Sequence, residues 1–180
     1  QGGLTLIDFT DPVRPFEIAF FDRGPVDPEH LVIGGYWSTY YYDGRIYGTE
    51  IVRGLDIFTL LPSEHLSENE IAAAAVADQG AVFNPQQQFQ VRWPAEPVVA
   101  LAYLDQLDRD AVLATTLTGD LRSSLAMAAA SLGAGQRDPA LALRLRALAA
   151  EVRTVSGTGL VMRRVNGLEE VLLELAARLA

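Results

Sequence analysis

The sequence predicts an α+β fold, an N-terminal antiparallel β-meander followed by an α-helical tail. Three observations predict it. Most of the Tyr and Phe and the strongest turn signals lie within residues 1–60, whereas residues 63–180 are Ala- and Leu-rich with apolar residues at helical spacing. Asp43-Gly44 also stands between two runs of β-branched and aromatic residues. The composition changes near Leu61-Pro62, so three regions are expected: a β segment at 1–61, a capping helix and extended strap at 62–94, and a helical region at 95–180.

The β segment divides at its turn residues. Leu4-Thr5-Leu6-Ile7 is followed by Asp11-Pro12, then Glu17-Ile18-Ala19-Phe20-Phe21, then a loop rich in Gly, Pro and Asp over 22–35. Residues 36–42 and 45–51 flank Asp43-Gly44, a pair that accepts the positive φ required at both central positions of a type I′ hairpin. Val52-Arg53-Gly54 then turns the chain into Leu55-Asp56-Ile57-Phe58-Thr59-Leu60. Gly3-Leu4-Thr5-Leu6-Ile7 and Gly54-Leu55-Asp56-Ile57-Phe58 share the pattern Gly-Leu-x-apolar-apolar, 51 positions apart. A repeat of about 40–50 residues holding four strands marks a β-propeller. The segment therefore reads as the outer strand of one blade followed by one complete four-stranded blade. A solitary blade leaves its faces and edges uncovered, so further blades or the helices must cover them.

Helical punctuation is clear in the remainder. Ser67-Glu68-Asn69-Glu70 is a capping box, and Gly80 is placed to stop the helix predicted over 68–79. Residues 81–94, with Asn84-Pro85 and Trp93-Pro94, lack periodicity and predict an extended strap. Helices are predicted at 96–108, 111–132, 139–154 and 167–179. Asp138-Pro139 and Asn166 with Glu169 are start signals, Gly133 is a stop, and a break is expected at Thr118-Gly119-Asp120, with Thr118 capping a second helix. Leu141, Leu145, Leu148 and Val152 fall on one face, as do Leu168, Val171, Leu172, Leu175 and Leu179. These two helices should pack as an antiparallel pair.

Composition excludes several classes of function. The chain has 180 residues, 49% hydrophobic and 21% charged, enough for a packed core. Its 14 basic residues are all Arg and are outnumbered by 23 acids, giving net charge −9, which opposes binding to nucleic acid or to an anionic membrane. With no cysteine there is no disulfide framework or thiolate chemistry. No apolar run reaches the roughly 20 residues of a membrane-spanning helix. The start at Gln1-Gly2-Gly3, without Met or a signal sequence, leads to the expectation that an upstream segment has been removed.

Tyr36, Trp37, Tyr40, Tyr41, Tyr42 and Tyr47 form an aromatic cluster of the kind that stacks on sugars or aromatic ligands, although cross-strand pairing alone accounts for aromatics in strands. Glu50 and Asp56 alternate with apolar residues as a carboxylate pair would, but Arg45 and Arg53 lie nearby and predict cross-strand ion pairs. The candidate ligand-binding set is Tyr36, Trp37, Tyr40, Asp43, Tyr47 and Glu50. No catalytic residue, metal site or cofactor is assigned. His30 and His65 lack partner ligands at metal-binding spacing. Asp22, Asp27 and Glu29 match no calcium-loop register and read as turn formers. Gly157-Thr158-Gly159 lacks the third glycine and preceding strand of a dinucleotide fingerprint.

The run from Gly34-Gly35-Tyr36-Trp37 through Tyr42-Asp43-Gly44-Arg45 to Gly54-Leu55-Asp56-Ile57-Phe58 resembles the closing repeats of LVIVD-repeat proteins, secreted bacterial β-propellers. Leu6-Ile7-Asp8-Phe9-Thr10-Asp11-Pro12-Val13-Arg14-Pro15 is similar to that family's blade junction. Phe83-Asn84-Pro85-Gln86, Trp93-Pro94-Ala95 and Ala102-Tyr103-Leu104-Asp105-Gln106-Leu107 resemble, less specifically, the tail after the propeller in actinobacterial members. The resemblance covers residues 3–60 well and implies a propeller and export, with no catalytic residue or cofactor to carry over. The chain holds too few blades to close a ring. The expectation is a non-catalytic extracytoplasmic interaction or scaffold module. Its partners would be the remaining blades, from the same precursor or a partner chain, in a homo- or hetero-oligomer without nucleic acid or a membrane span. The alternative is a subunit of a secreted enzyme with its site at the propeller mouth.

Overall fold

The computed structural model describes residues 2–80, 82, 84, 87 and 90–180. Among them the chain is mixed α+β, with two small antiparallel sheets followed by five helices. It forms two compact units, Gln1–Arg92 and Trp93–Ala180, so the first helix belongs with the sheets.

In the first unit β1 (Leu4–Asp8) and β2 (Phe16–Phe21) make a two-stranded sheet, while β3 (Tyr36–Tyr42), β4 (Arg45–Glu50) and β5 (Gly54–Phe58) make a meander. The hairpin turn forms as its sequence requires, with Asp43 at φ 48° and Gly44 at φ 74°. The 1+4 division of strands anticipated for a blade is replaced by 2+3, because β2 pairs with β1 and not with β3. The connection explains this choice. Asp11 accepts from the Val13 and Arg14 backbone and pairs with the Arg14 guanidinium, folding residues 8–16 into a short turn whose closure costs little entropy. The longer 22–35 loop would have to close before β2 could reach β3.

Helix α1 (Glu68–Ala75) carries the complete capping box: the Ser67 hydroxyl accepts from the Glu70 amide, and the Glu70 carboxylate accepts from the Ser67 amide. It ends at Val76, before the predicted stop, and Gly80 takes its positive φ outside the helix. Part of the strap expected at 81–94 lies outside the described residues, Phe83, Pro85 and Gln86 included; Arg92 forms an antiparallel bridge with Asp78.

The second unit contains α2 (Pro97–Arg109), α3 (Thr115–Gly133), α4 (Pro139–Val152) and α5 (Gly159–Leu179). Leu104, Leu107, Leu121, Leu125, Leu145, Leu168, Leu172 and Leu175 are fully buried and form its core. The predicted apolar faces of α4 and α5 meet antiparallel: the Asp138 amide, at the start of α4, donates to the Leu179 carbonyl at the end of α5. Three boundaries differ from expectation. α2 reverses through Ala111 at φ 51°, with the Val112 amide returning to the Leu107 carbonyl, which consumes the residues predicted to begin α3. Thr118 is buried within an unbroken α3, and Gly135, not Gly133, takes the left-handed stop. α5 begins at Gly159, seven residues before the predicted Asn166 cap, and Gly167 lies inside it where the helix meets Tyr103: a Cβ there would lie 2.5 Å from the Tyr103 Cζ. Among the described residues, no helix is long and apolar enough to cross a membrane.

Candidate functional site

The six residues of the candidate set fall on different surfaces of the β3–β4–β5 sheet. Tyr36 opposes Glu50 and Ser38 opposes Thr49, so Trp37 is the extra residue of a β-bulge. The bulge changes which side chains face which way. Upstream of it Tyr36 lies on the face that carries Glu50, Gly48, Ile46, Asp56 and Phe58; downstream, Tyr40 lies opposite Tyr47, which in turn opposes Ile57, on the other face. Trp37 is 81% exposed, and Asp43 sits in the hairpin turn. The structure thus brings together Tyr36 with Glu50, and Tyr40 with Tyr47, and leaves Trp37 and Asp43 apart from both pairs.

The inner face holds the polar geometry. Tyr36 donates its phenol to Asp56 Oδ2 at 2.6 Å, and the Arg23 guanidinium lies 2.8 Å from the same carboxylate. The Tyr36 ring is wedged edge-on between Phe21 and Phe58, over Gly48, whose absent Cβ leaves room for the ring. Burial, and then the hydrogen bond to the Asp56 carboxylate, push the Tyr36 phenol up to about 12. The Asp56 carboxyl is held below its usual value, first by the Tyr36 phenol and then by Arg23. Arg23 was not distinguishable in sequence, because nothing in a Phe-Asp-Arg-Gly run indicates a partner 33 positions away.

Glu50 is a buried loop clamp. Its Oε1 accepts from the Gly35 amide at 2.6 Å and its Oε2 from the amides of Val52, at 2.8 Å, and Arg53. The Gly35 bond is the largest influence lowering its carboxyl below the ordinary range. The cross-strand ion pairs expected from Arg45 and Arg53 do not form: Arg53 donates to the carbonyls of Gly24 and Pro25, and Asp56 takes Arg23 instead. Both carboxylates are therefore acceptors with their bonds made, ionised at neutral pH, and neither is poised to exchange a proton with a substrate.

The loop acids form turns, as their spacing suggests. Asp27 accepts from the amides of Glu29 and His30 and from the His30 ring, and Asp22 accepts from the Arg23 amide. Among the described residues no cluster of three metal-ligating side chains occurs. The large concavity of this unit is instead apolar. A cleft of about 620 Å³ opens between the β1–β2 sheet and β5, lined by Leu4, Leu6, Phe20, Ile46, Phe58 and Leu61. Its end is closed by a tight turn in which Ser63 and Leu66 exchange backbone hydrogen bonds. This cleft was not legible in sequence, since it results from the strands dividing between two sheets.

Comparison with protein-family models, with curated proteins and with solved structures found no match to this chain.

Proposed function

We propose that the chain is a non-catalytic, extracytoplasmic interaction module: the terminal part of a β-propeller of the LVIVD-repeat type, followed by a helical tail. In this reading its missing neighbours come from the same precursor or from a partner chain. One observation carries the proposal. Among the described residues of the first unit the buried apolar side chains are Leu4, Ile46 and Ala73, while Phe9, Phe20, Leu31, Leu55 and Ile57 are all more than half exposed. Covering five side chains of this size is worth on the order of 10 kcal/mol at about 2 kcal/mol each. That is of the same order as the ~4–15 kcal/mol that association costs, so covering this surface offsets that cost. Side chains that looked suited to chemistry, Glu50 and Asp56, are engaged in holding loops and strands together.

The test is the purified chain itself, followed by analytical ultracentrifugation and by fluorescence of a dye that binds exposed apolar surface. The expected result is strong dye binding with concentration-dependent association. A dye-silent monomer at micromolar concentration would overturn the proposal.

A further inference from the structure

The cleft of the first unit is held open at both ends. Phe21 of β2 meets Phe58 of β5 with ring centroids 4.7 Å apart, and Phe16, at the other end of β2, meets the His65 ring edge-on at 5.2 Å. Between these contacts β2 spans about 17 Å, at roughly 3.4 Å per residue. Walls pinned in this way are kept from closing on each other, so the space of about 620 Å³ is preformed, and its size falls in the range of small-molecule sites. A strand is a poor occupant. Leu6 opposes Ala19 and Ile7 opposes Glu17, so Ile18 is the extra residue of a bulge, which bends β2 where an added strand would have to pair.

The two ends differ in chemistry. Toward Phe21 and Phe58 the lining is apolar, with Leu4 and Ile46 buried beneath it. Toward Phe16 and His65 it includes the Glu17 and Glu64 carboxylates, neither of them paired with an arginine. Arginine supplies all 14 basic residues of the chain, yet none lines the cleft. An anionic head group would meet two carboxylates and no cation, whereas a cationic one would meet opposite charge. The surface that carries the module reading lies mostly elsewhere, since Phe9, Leu31, Leu55 and Ile57 do not line the cleft.

We propose that the cleft binds a small amphipathic cation, an apolar chain ending in an ammonium group. Its apolar body lies over Leu4 and Ile46, and its head group reaches Glu17 and Glu64.

The experiment is isothermal titration calorimetry of the full chain at low salt with decylamine, decanol and decanoate, each below its aggregation concentration. Decylamine is expected to bind about fivefold tighter than decanol, the worth of two exposed ion pairs, and decanoate more weakly than either. Added salt should narrow the gap between amine and alcohol. Glu17→Gln with Glu64→Gln should erase the preference for the amine, and Glu17→Lys with Glu64→Lys should turn it toward decanoate. Both positions are exposed, so the fold is kept. Glu151→Gln, an exposed acid of α4, should change nothing. Ala19→Phe fills the cleft and should abolish binding; if it fails to fold, the charge variants decide. No binding of decylamine, decanoate bound as tightly as decylamine, or a preference for the amine that survives the double Gln variant overturns the proposal. So does a loss on Glu151→Gln equal to that of the double variant, or a folded Ala19→Phe variant that binds as wild type does. Each of these results leaves the module reading standing, because association and dye binding test that reading separately.

Discussion

Glu50 and Tyr36 are ionisable groups whose surroundings fix their charge. Folding lowers the Glu50 carboxyl, chiefly through the Gly35 amide, so its contribution to stability is present above the ordinary glutamate range and is lost as pH falls through the folded value. Glu50→Gln replaces an acceptor oxygen with an amide nitrogen that cannot accept from Val52 and Arg53. A lower melting temperature at neutral pH is expected, with a smaller loss on acidification than wild type shows. A Glu50→Gln variant as stable and as acid-sensitive as wild type would exclude the clamp. Tyr36 works in the opposite sense: with a folded value of about 12 its contribution is complete below the ordinary tyrosine range and is lost as pH rises toward that value. Burial also raises Tyr41 and Tyr103, but Tyr36 is displaced furthest, so tyrosinate absorbance should show a last step that Tyr36→Phe removes. The sequence marks Glu50 through alternation with apolar neighbours and Tyr36 through the aromatic cluster. Their roles were not legible, because the Trp37 bulge and the partners Arg23 and Gly35 are set by strand register.

Among the elements, the hairpin at Asp43-Gly44, the α1 capping box and the apolar faces of α4 and α5 follow directly from local sequence, since each depends on residues at most a few turns apart. The start of α5 does not. Asn166-Gly167 reads as a helix start, but tertiary packing recruits Gly167 into the helix so that α5 can approach Tyr103 of α2. Gly167→Val should force the ring away and destabilise the second unit by ~1–3 kcal/mol, the usual cost of overpacking, measured by urea unfolding. An unchanged midpoint would mean that the helices separate without penalty. The division of β strands is likewise a tertiary outcome. β2 carries apolar residues suited to either neighbour, and the short turn pinned by Asp11 selects β1.

At the scale of the whole molecule the two units differ in how they account for their apolar surface. The helical unit buries leucines from all four of its helices, whereas the β unit leaves most of its large apolar side chains exposed around an open cleft. Residues 93–180 produced alone should therefore unfold in one cooperative thermal transition with a helical circular dichroism spectrum. Residues 1–92 produced alone should bind an apolar dye and show no sharp transition. A cooperative, dye-silent β fragment would remove the ground for expecting a partner. The regional composition anticipated this contrast, because aromatic and β-branched residues without a second layer of strands have nothing to pack against.

Short-range sequence specified the α+β class, the hairpin turn, the Ser67 and Asp138 caps and the apolar helix faces, because turn geometry, capping and periodicity act over short separations along the chain. Tertiary structure alone decided that β2 would join β1, that Arg23 would meet Asp56, and that Glu50 would be consumed by three amides. Those outcomes depend on which distant groups are left unsatisfied once the local elements have formed, and one residue's shift in register changes every one of them.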